Sequence, residues 1–401
     1  MTQIVNSPKS IAVKLSPKAE RLIKKGHPWV YSDSILKINK DAETGDVCVL
    51  FDAKNNELYA VGLYDKNSPI RIKIIHRGAT KIDEHFFTKR ITEALEKRQS
   101  LIGETTNSFR LLYGENDFLP GIIADMYTKV LVLKIYSSAW LPYLTGLKKA
   151  LVTVTKAKTI VLRCSRNVEK EMGETSLNGT VIHGELNNED VVFMEHGVHF
   201  SANVVKGHKT GFFLDHRHNR KRVGALSKGK TVLDIFAYAG GFSIHALVGG
   251  ASKVTSVDIS AKALEMATKN AALNTFKGRH ETVAGDAFEV LKKFKSNDQK
   301  FDIVVIDPPS FAKSKEEIKT AIHKYTELAK LGAQLVQKNG ILVLASCSSR
   351  VTPEEFLDSH QVAFKNTGIR FKQLEMTYHD IDHPISFPEG AYLKCVYYLK
   401  S

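Results

Sequence analysis

The run Thr231-Val-Leu-Asp234-Ile-Phe236-Ala-Tyr238-Ala-Gly240-Gly241-Phe242 decides the reading of the fold. An apolar, β-prone stretch ends in an acid and then breaks into a glycine pair. That is the pattern of a strand giving way to a tight turn. The same rhythm returns downstream. Strands are expected at 231–236, 253–258, 280–284, 301–306, 340–346, 371–376 and 392–399, with helices between the earlier ones. Ser314-Lys-Glu-Glu317 and Thr352-Pro353-Glu-Glu355 read as capping boxes opening two of those helices. The second has Pro at the first helical position and Val351 set to staple onto Phe356. From about Asn188 onward this alternation predicts an α/β domain with a parallel, doubly wound sheet.

Such a sheet binds ligands at the carboxyl ends of its strands, beside the switch point. Gly240 and Gly241 are expected to let the backbone turn sharply and approach a ligand. The spacing is not G-x-G-x-x-G, which argues against a dinucleotide fold. Asp258 closes the next strand, 24 residues after Asp234, and can accept both ribose hydroxyls of an adenosine; Ile259 follows it. Gly285-Asp286-Ala287 closes the third strand, where a carboxylate beside an N–H can read an adenine. Each acid taken alone is equally well explained as a helix or turn cap. Three at successive strand ends point to a nucleoside ligand.

The fourth strand ends in Asp307-Pro308-Pro309-Ser310-Phe311, where two prolines fix a rigid turn after the acid. The fifth ends in Ser346-Cys347-Ser348. Neighbouring strands would bring Asp307 and Cys347 to one pocket. Carbon 5 of a pyrimidine is not nucleophilic by itself. A thiolate adding to carbon 6 creates an enamine whose carbon 5 can attack an S-adenosylmethionine (SAM) methyl group. Asp307 suits a hydrogen bond to the protonated N3 of a cytosine. A buried structural cysteine is the alternative for Cys347, and it is the reading given to Cys48, Cys164 and Cys395.

The N-terminal half has a different rhythm. Short alternating runs between turn residues over 11–75 predict a small β-rich domain. A helix is expected over 83–101, followed by strands within 121–135 and 159–163 around a second helix. The expected segments are 9–80, 81–187 and 188–401. Lys and Arg total 57 against 43 Asp and Glu, a net +14 that favours a polyanionic partner. Trp29 reads as a core residue or a base-stacking one. The basic cluster His216-Arg217-His218-Asn219-Arg220-Lys221-Arg222 reads as a phosphate contact or a solvated helix face. Four scattered cysteines without a CxxC pair exclude a disulfide scaffold and a zinc ribbon. No metal site is expected from His196, His199 and His208. Residues 1–16 hold no apolar core of signal-peptide length. No stretch reaches the ~20 apolar residues of a membrane span, so a cytoplasmic protein is expected.

Several of these strings resemble one family. Gly207-His-Lys-Thr-Gly-Phe212-Phe213-Leu-Asp215-His-Arg217, the Asp234–Phe242 loop, Asp307-Pro-Pro-Ser-Phe311, Ser346-Cys347-Ser348, and His383-Pro384 with Phe387-Pro-Glu-Gly390 are similar to the bacterial 23S ribosomal RNA large-subunit cytosine-C5 methyltransferases. Gly26-His-Pro-Trp-Val-Tyr31 and Gly114-Glu-Asn-Asp-Phe-Leu-Pro-Gly121 extend the resemblance over nearly the whole chain. It implies a PUA RNA-binding domain, a central α+β domain and a class I, Rossmann-like SAM methyltransferase domain. It implies that the Gly207–Arg217 segment closes over SAM, with Phe212, Phe213 and Asp215 near it. It assigns Cys347 as nucleophile and Asp307 as the acid that contacts the base. Asp234, Phe236, Tyr238, Gly240, Asp258, Ile259, Asp286, Ala287, Asp307 and Pro308 complete the expected cofactor set. Many relatives carry a second cysteine where this chain has Pro309, so the base that removes the carbon 5 proton is not named.

The expected partner is 23S ribosomal RNA or the assembling large subunit, with no membrane; a homodimer is left open. Two other readings stand beside this one. A nitrogen methylase would have no use for Cys347. A non-catalytic assembly factor would have no use for Asp234, Asp258, Asp307 and Cys347 together.

Overall fold

The computed structural model describes residues 7–401. The signal-peptide reading of residues 1–16 therefore falls partly on 1–6, outside the described residues. The chain forms two compact units. One contains the residues up to Phe193 with Ala202–Phe213 and Ile381–Pro388. The other contains Met194–Ser201, Leu214–Asp380 and Glu389–Ser401.

Among its described residues, the first unit holds a six-stranded and a five-stranded sheet. The six-stranded sheet comprises β1 (Ser10–Leu15), β2 (Trp29–Tyr31), β3 (Ile35–Ile38), β4 (Val47–Phe51), β5 (Leu58–Tyr64) and β6 (Ile70–Arg77), with helix α1 (Pro17–Lys24). Its core, around Ile11, Val30, Leu50 and Ile72, follows from the alternation of apolar and polar residues along each strand. The five-stranded sheet contains β7 (Ser108–Tyr113), β8 (Ile122–Tyr127), β9 (Val130–Ile135), β10 (Thr159–Cys164) and β11 (Thr180–His183). It packs with α2 (Glu84–Arg98) and α3 (Leu144–Thr155), and α4 (Arg166–Met172) follows β10. Asp83 caps α2 by accepting from the Phe86 N–H. Trp29 is half-buried, donates its indole N–H to Glu115 and packs edge-on against Phe387 at 5.0 Å. It is thus engaged in packing within its own unit.

Strands β12 (Asp190–Glu195) and β13 (Val198–Asn203) form a two-stranded sheet. The second unit is built on the strand–helix alternation. Helix α5 (Arg217–Leu226) precedes β14 (Thr231–Ile235), α6 (Gly241–Val248), β15 (Lys253–Asp258), α7 (Ala261–Ala272), β16 (Arg279–Ala284), α8 (Ala287–Ser296), β17 (Phe301–Ile306), α9 (Ile318–Leu335), β18 (Val336–Ser346), α10 (Pro353–Thr367), β19 (Phe371–Thr377) and β20 (Lys394–Lys400). The sheet order is β16-β15-β14-β17-β18-β20-β19. β14, β15, β17 and β18 pair in parallel, and apart from the exposed start of β18 at 337–339 they are mostly buried. That burial on both faces explains why they read as continuous apolar runs. The order reverses between β14 and β17, which sets the crevice at the carboxyl ends of those two strands.

Two expectations are corrected. The sheet is not wholly parallel, because β20 runs antiparallel between β18 and β19. Only a short 3-10 turn, Pro388–Gly390, and no α-helix separates β19 from β20, so the chain returns beside its own strand instead of crossing over. The Ser314–Glu317 string is not a capping box either. Helix α9 begins only at Ile318 and has no side-chain cap; the Glu317 carboxylate instead accepts the N–H groups of Lys313 and Ser314. The Thr352 box forms as expected on α10, and Val351 and Phe356 are both buried in one cluster.

Candidate functional site

Asp234, Asp258 and Asp307 stand at the carboxyl ends of β14, β15 and β17, and Cys347 follows β18 directly. The parallel register between β17 and β18 runs Ile306 against Leu344, so the two loops leave the sheet side by side. The Cys347 thiol is partly exposed and points to the Pro308 carbonyl at 3.7 Å, one residue beyond Asp307. Cys48, Cys164 and Cys395 are buried, in keeping with their structural reading. Burial chiefly, then the charges of Asp307 and Asp215, pushes the Cys347 thiol up to about 12, while Lys394 pulls it back. At neutral pH the resting group is therefore S–H, and attack requires a proton acceptor.

The loop after β14 is conformationally strained. Phe236, Tyr238 and Gly240 have φ of 65°, 46° and 80°, and the first two are left-handed without being glycine. Strain of this kind persists where surroundings over-determine it, commonly at ligand sites. The Tyr238 N–H donates to Asp258 Oδ2, and the Ser260 N–H to Oδ1. Each of those oxygens keeps a lone pair for a ligand hydroxyl. The glycine pair is also required by packing. A Cβ at Gly240 would meet that of Ala267 at 2.9 Å, and one at Gly241 would meet Arg220 Cδ at 2.8 Å.

Asp234 is 1% exposed. Its Oδ2 accepts two bonds from Ser243, while Oδ1 has no hydrogen-bond partner. Burial raises this acid to about 7; the Ser243 bonds oppose that and the charges of Asp307 and Asp258 add to it. A cationic ligand would satisfy the orphaned oxygen.

The remaining expected residues are dispersed. Asp286 caps α8 through Oδ1, which accepts from Phe288 and Glu289, so the capping reading holds for that oxygen. Ala287 is buried in the core. Ile259 is 74% exposed at the end of β15, an unusual setting for a branched apolar side chain. Pro308 is buried and Pro309 exposed. Asp215 accepts from the Tyr392 hydroxyl at 2.7 Å. Phe212 and Phe213 belong to the first unit; Phe212 is buried against Phe193, and Phe213 lies beside His208.

The basic cluster is corrected most. Arg217 and Arg220 are buried, not solvated or free for phosphate. Arg220 forms a two-pronged pair with the buried Glu195 at 2.7 and 2.6 Å, and His245 lies 3.0 Å from the same carboxylate. Arg217 bridges to Asp380 at 3.2 Å. His218 and Lys221 remain exposed. Sequence reasoning also missed Lys394 and the role of Ser243, because neither stands in a motif. Lys394 is buried, donates to the Ser348 and Tyr392 carbonyls, and is lowered to about 8 by burial. Among the described residues, no cluster of His, Cys, Asp and Glu could hold a metal, and no helix is long and apolar enough to cross a membrane.

A family model described as S-adenosylmethionine-dependent methyltransferase matches residues 110–384. The chain belongs to the SAM-dependent methyltransferases. Residues 13–77 of this methyltransferase match a PUA-like domain. It is 41% identical to a ribosomal RNA large subunit methyltransferase of Deinococcus radiodurans, over 99% of each chain. It is 35% identical to ribosomal RNA large subunit methyltransferase I of Tolumonas auensis, over 96% of this chain and 98% of that one. Among solved structures, a Streptococcus mutans protein assigned as a SAM-dependent methyltransferase shares the fold at a TM-score of 0.81 and 21% identity, over 97% of this chain and 99% of that one. SMU.776, solved in complex with SAH, aligns equally well at 22% identity, covering the same shares.

The methyltransferase site fits SAM. An orphaned buried carboxylate oxygen suits a ligand bearing both a sulfonium and an ammonium. Asp258, with lone pairs free of backbone donors, suits a ribose.

Proposed function

We propose that this methyltransferase acts on carbon 5 of a cytosine in 23S ribosomal RNA, through a covalent bond between Cys347 and carbon 6. The observation that carries the reading is a partly exposed thiol one strand away from Asp307, at the carboxyl ends of β17 and β18. The names of the relatives support the RNA class. SAM, when bound, supplies an electrophilic methyl group. Asp234, Phe236, Tyr238, Gly240, Asp258, Ile259, Asp286, Ala287, Asp307 and Pro308 are proposed to hold it. Asp215, Phe212 and Phe213 are kept in that set on the resemblance alone. The proposed segments are a PUA-like RNA grip at 9–80, a central domain at 81–187 and the catalytic domain at 188–401, working in the cytoplasm.

The Cys347 proton leaves to a neighbouring base and sulfur bonds carbon 6. N3 takes a proton from solvent, and the Asp307 carboxylate accepts a hydrogen bond from the N3–H that results. Carbon 5 takes the methyl group as the methyl–sulfonium bond breaks and SAH leaves. Loss of the carbon 5 proton to a base restores the 5,6 double bond and expels the thiolate, which recovers a proton while N3 returns its own to solvent. The test is transfer of tritiated methyl from SAM to ribosomal RNA from a strain lacking the enzyme, followed by nucleoside analysis. Label in 5-methylcytidine supports the reading. Label in a methylated purine would favour the nitrogen methylase, and no transfer would favour an assembly factor.

Asp234 gives a second expectation. A carboxyl raised to about 7 favours the folded chain while protonated, and that contribution is lost as the pH rises from the ordinary carboxylate range through about 7. Asp234→Asn should therefore melt a few degrees above the wild type at pH 8, with a smaller gain at pH 5. It should also bind SAM at least about ten-fold more weakly, because the charge facing the ligand is gone. Calorimetry checks both, and unchanged SAM affinity would remove Asp234 from the cofactor set.

A further inference from the structure

His216 enters none of the chemistry above, yet one of its nitrogens faces Asp307. The imidazole is 5% exposed. Its Nε2 lies 3.3 Å from Asp307 Oδ1 and makes no other hydrogen bond. Its Nδ1 lies 3.2 Å from Asn219 Nδ2. Contact between two nitrogens needs one donor and one lone pair. The orientation of the Asn219 amide decides which is which. Its Oδ1 accepts from the Thr377 hydroxyl at 2.6 Å and the Tyr397 hydroxyl at 3.1 Å. With Oδ1 turned to the two hydroxyls, as the structure has it, the amide nitrogen turns to His216 and donates. Nδ1 then accepts, and the imidazole proton sits on Nε2. An imidazolium would bring an Nδ1–H against the N–H of Asn219. Burial lowers the imidazole, but the charges of Asp307 and Asp215 outweigh it and hold the group above its ordinary range; the Asn219 contact opposes that second proton and favours a neutral donor to Asp307. Asn219 and Tyr397 are buried, so water does not compete within this chain of bonds.

We propose that His216 is a positioning residue for Asp307, a neutral Nε2–H donor oriented by Asn219 that holds Oδ1 and leaves Oδ2 for the target base. The inference rests on the cytosine C5 reading, in which Asp307 steadies a protonated N3. A neutral donor suits that task, because it fixes the carboxylate plane without cancelling its charge. The 3.3 Å separation is long for a formed bond, as is common before substrate tightens a site. Without the donor, the carboxyl of Asp307 is free to turn about its broad terminal torsion, with 24% of the side chain exposed to water.

The test uses the full chain with two variants. His216→Leu keeps bulk and removes the donor; kcat should fall about ten- to hundred-fold, while KM for RNA and affinity for SAM change little. His216→Gln restores an N–H near the Nε2 position and should recover kcat to within about three-fold of the wild type. Independently of turnover, long-range proton–nitrogen correlation spectra of histidine-labelled protein should show His216, assigned by its loss in His216→Gln, as the Nε2–H tautomer at pH 7. An Nδ1–H tautomer or an imidazolium would overturn the proposal. So would a His216→Leu enzyme that makes its product as fast as the wild type. Failure of the C5 reading is distinct from these results, since it shows in which nucleoside carries the label, whatever the ratio between variants.

Discussion

Cys347→Ala is expected to lower methyl transfer to ribosomal RNA by about a thousand-fold or more in kcat, while SAM binding stays within about two-fold of the wild type. The size follows from the chemistry. Without sulfur on carbon 6 there is no enamine, and positioning or electrostatics cannot make carbon 5 of a cytosine nucleophilic. SAM affinity is spared because the thiol belongs to the β18 loop, whereas the proposed ribose and cation contacts come from β14 and β15. Cys347→Ser should fail almost as fully, since a hydroxyl is a far weaker nucleophile than a thiol. Rapid-quench transfer assays with titration calorimetry on the same preparations check both halves. An alanine variant that still methylates would sink the C5 mechanism and point to an exocyclic amine or ring nitrogen as the acceptor.

Glu195→Ala is expected to cost about 3–5 kcal/mol of stability, the range for breaking a buried ion pair by removing one partner. The buried carboxylate serves Arg220 in a two-pronged pair, lies 3.8 Å from Arg217 and 3.0 Å from His245. Burial opposes its ionisation, yet Arg220 and His245 outweigh burial and hold the acid well below the usual carboxylate range. Its contribution is therefore present above about pH 4.5 and fades as the pH falls below that. Urea melts at pH 7 and pH 4 should show a gap between variant and wild type that narrows in acid. The same pairing predicts that Arg220 variants lose stability before they lose RNA affinity. An Arg220→Ala protein that is as stable as the wild type but binds RNA poorly would restore the phosphate-contact reading of this cluster.

The contrast between the two regions shows what a sequence can carry. Strands β15 and β17 are read from the sequence to the residue, because apolar periodicity and flanking turns are local properties of the chain. The acids at strand ends are legible for the same reason, since a doubly wound sheet puts its ligand where its strands stop. The family strings add the identity of the reaction class. The basic run of residues 216–222 is different. From its own composition it looks like a surface patch, and nothing nearby announces that Glu195, over twenty residues earlier, neutralises it from within. His216 is hidden in the same way, because its role depends on Asn219, Thr377, Tyr397 and Asp307.

By itself, then, the amino-acid order determined the alternating architecture, the carboxyl-end acids and a cysteine beside a β-strand end, since each follows from periodicity and spacing over a few residues. Only tertiary structure decided that β20 inserts antiparallel, that the glycine pair is needed for helix packing, and that two arginines are buried and paired. It also decided that His216 meets Asp307. Burial and charge pairing depend on groups far apart in the chain, and no local pattern records the partner a buried ion will find.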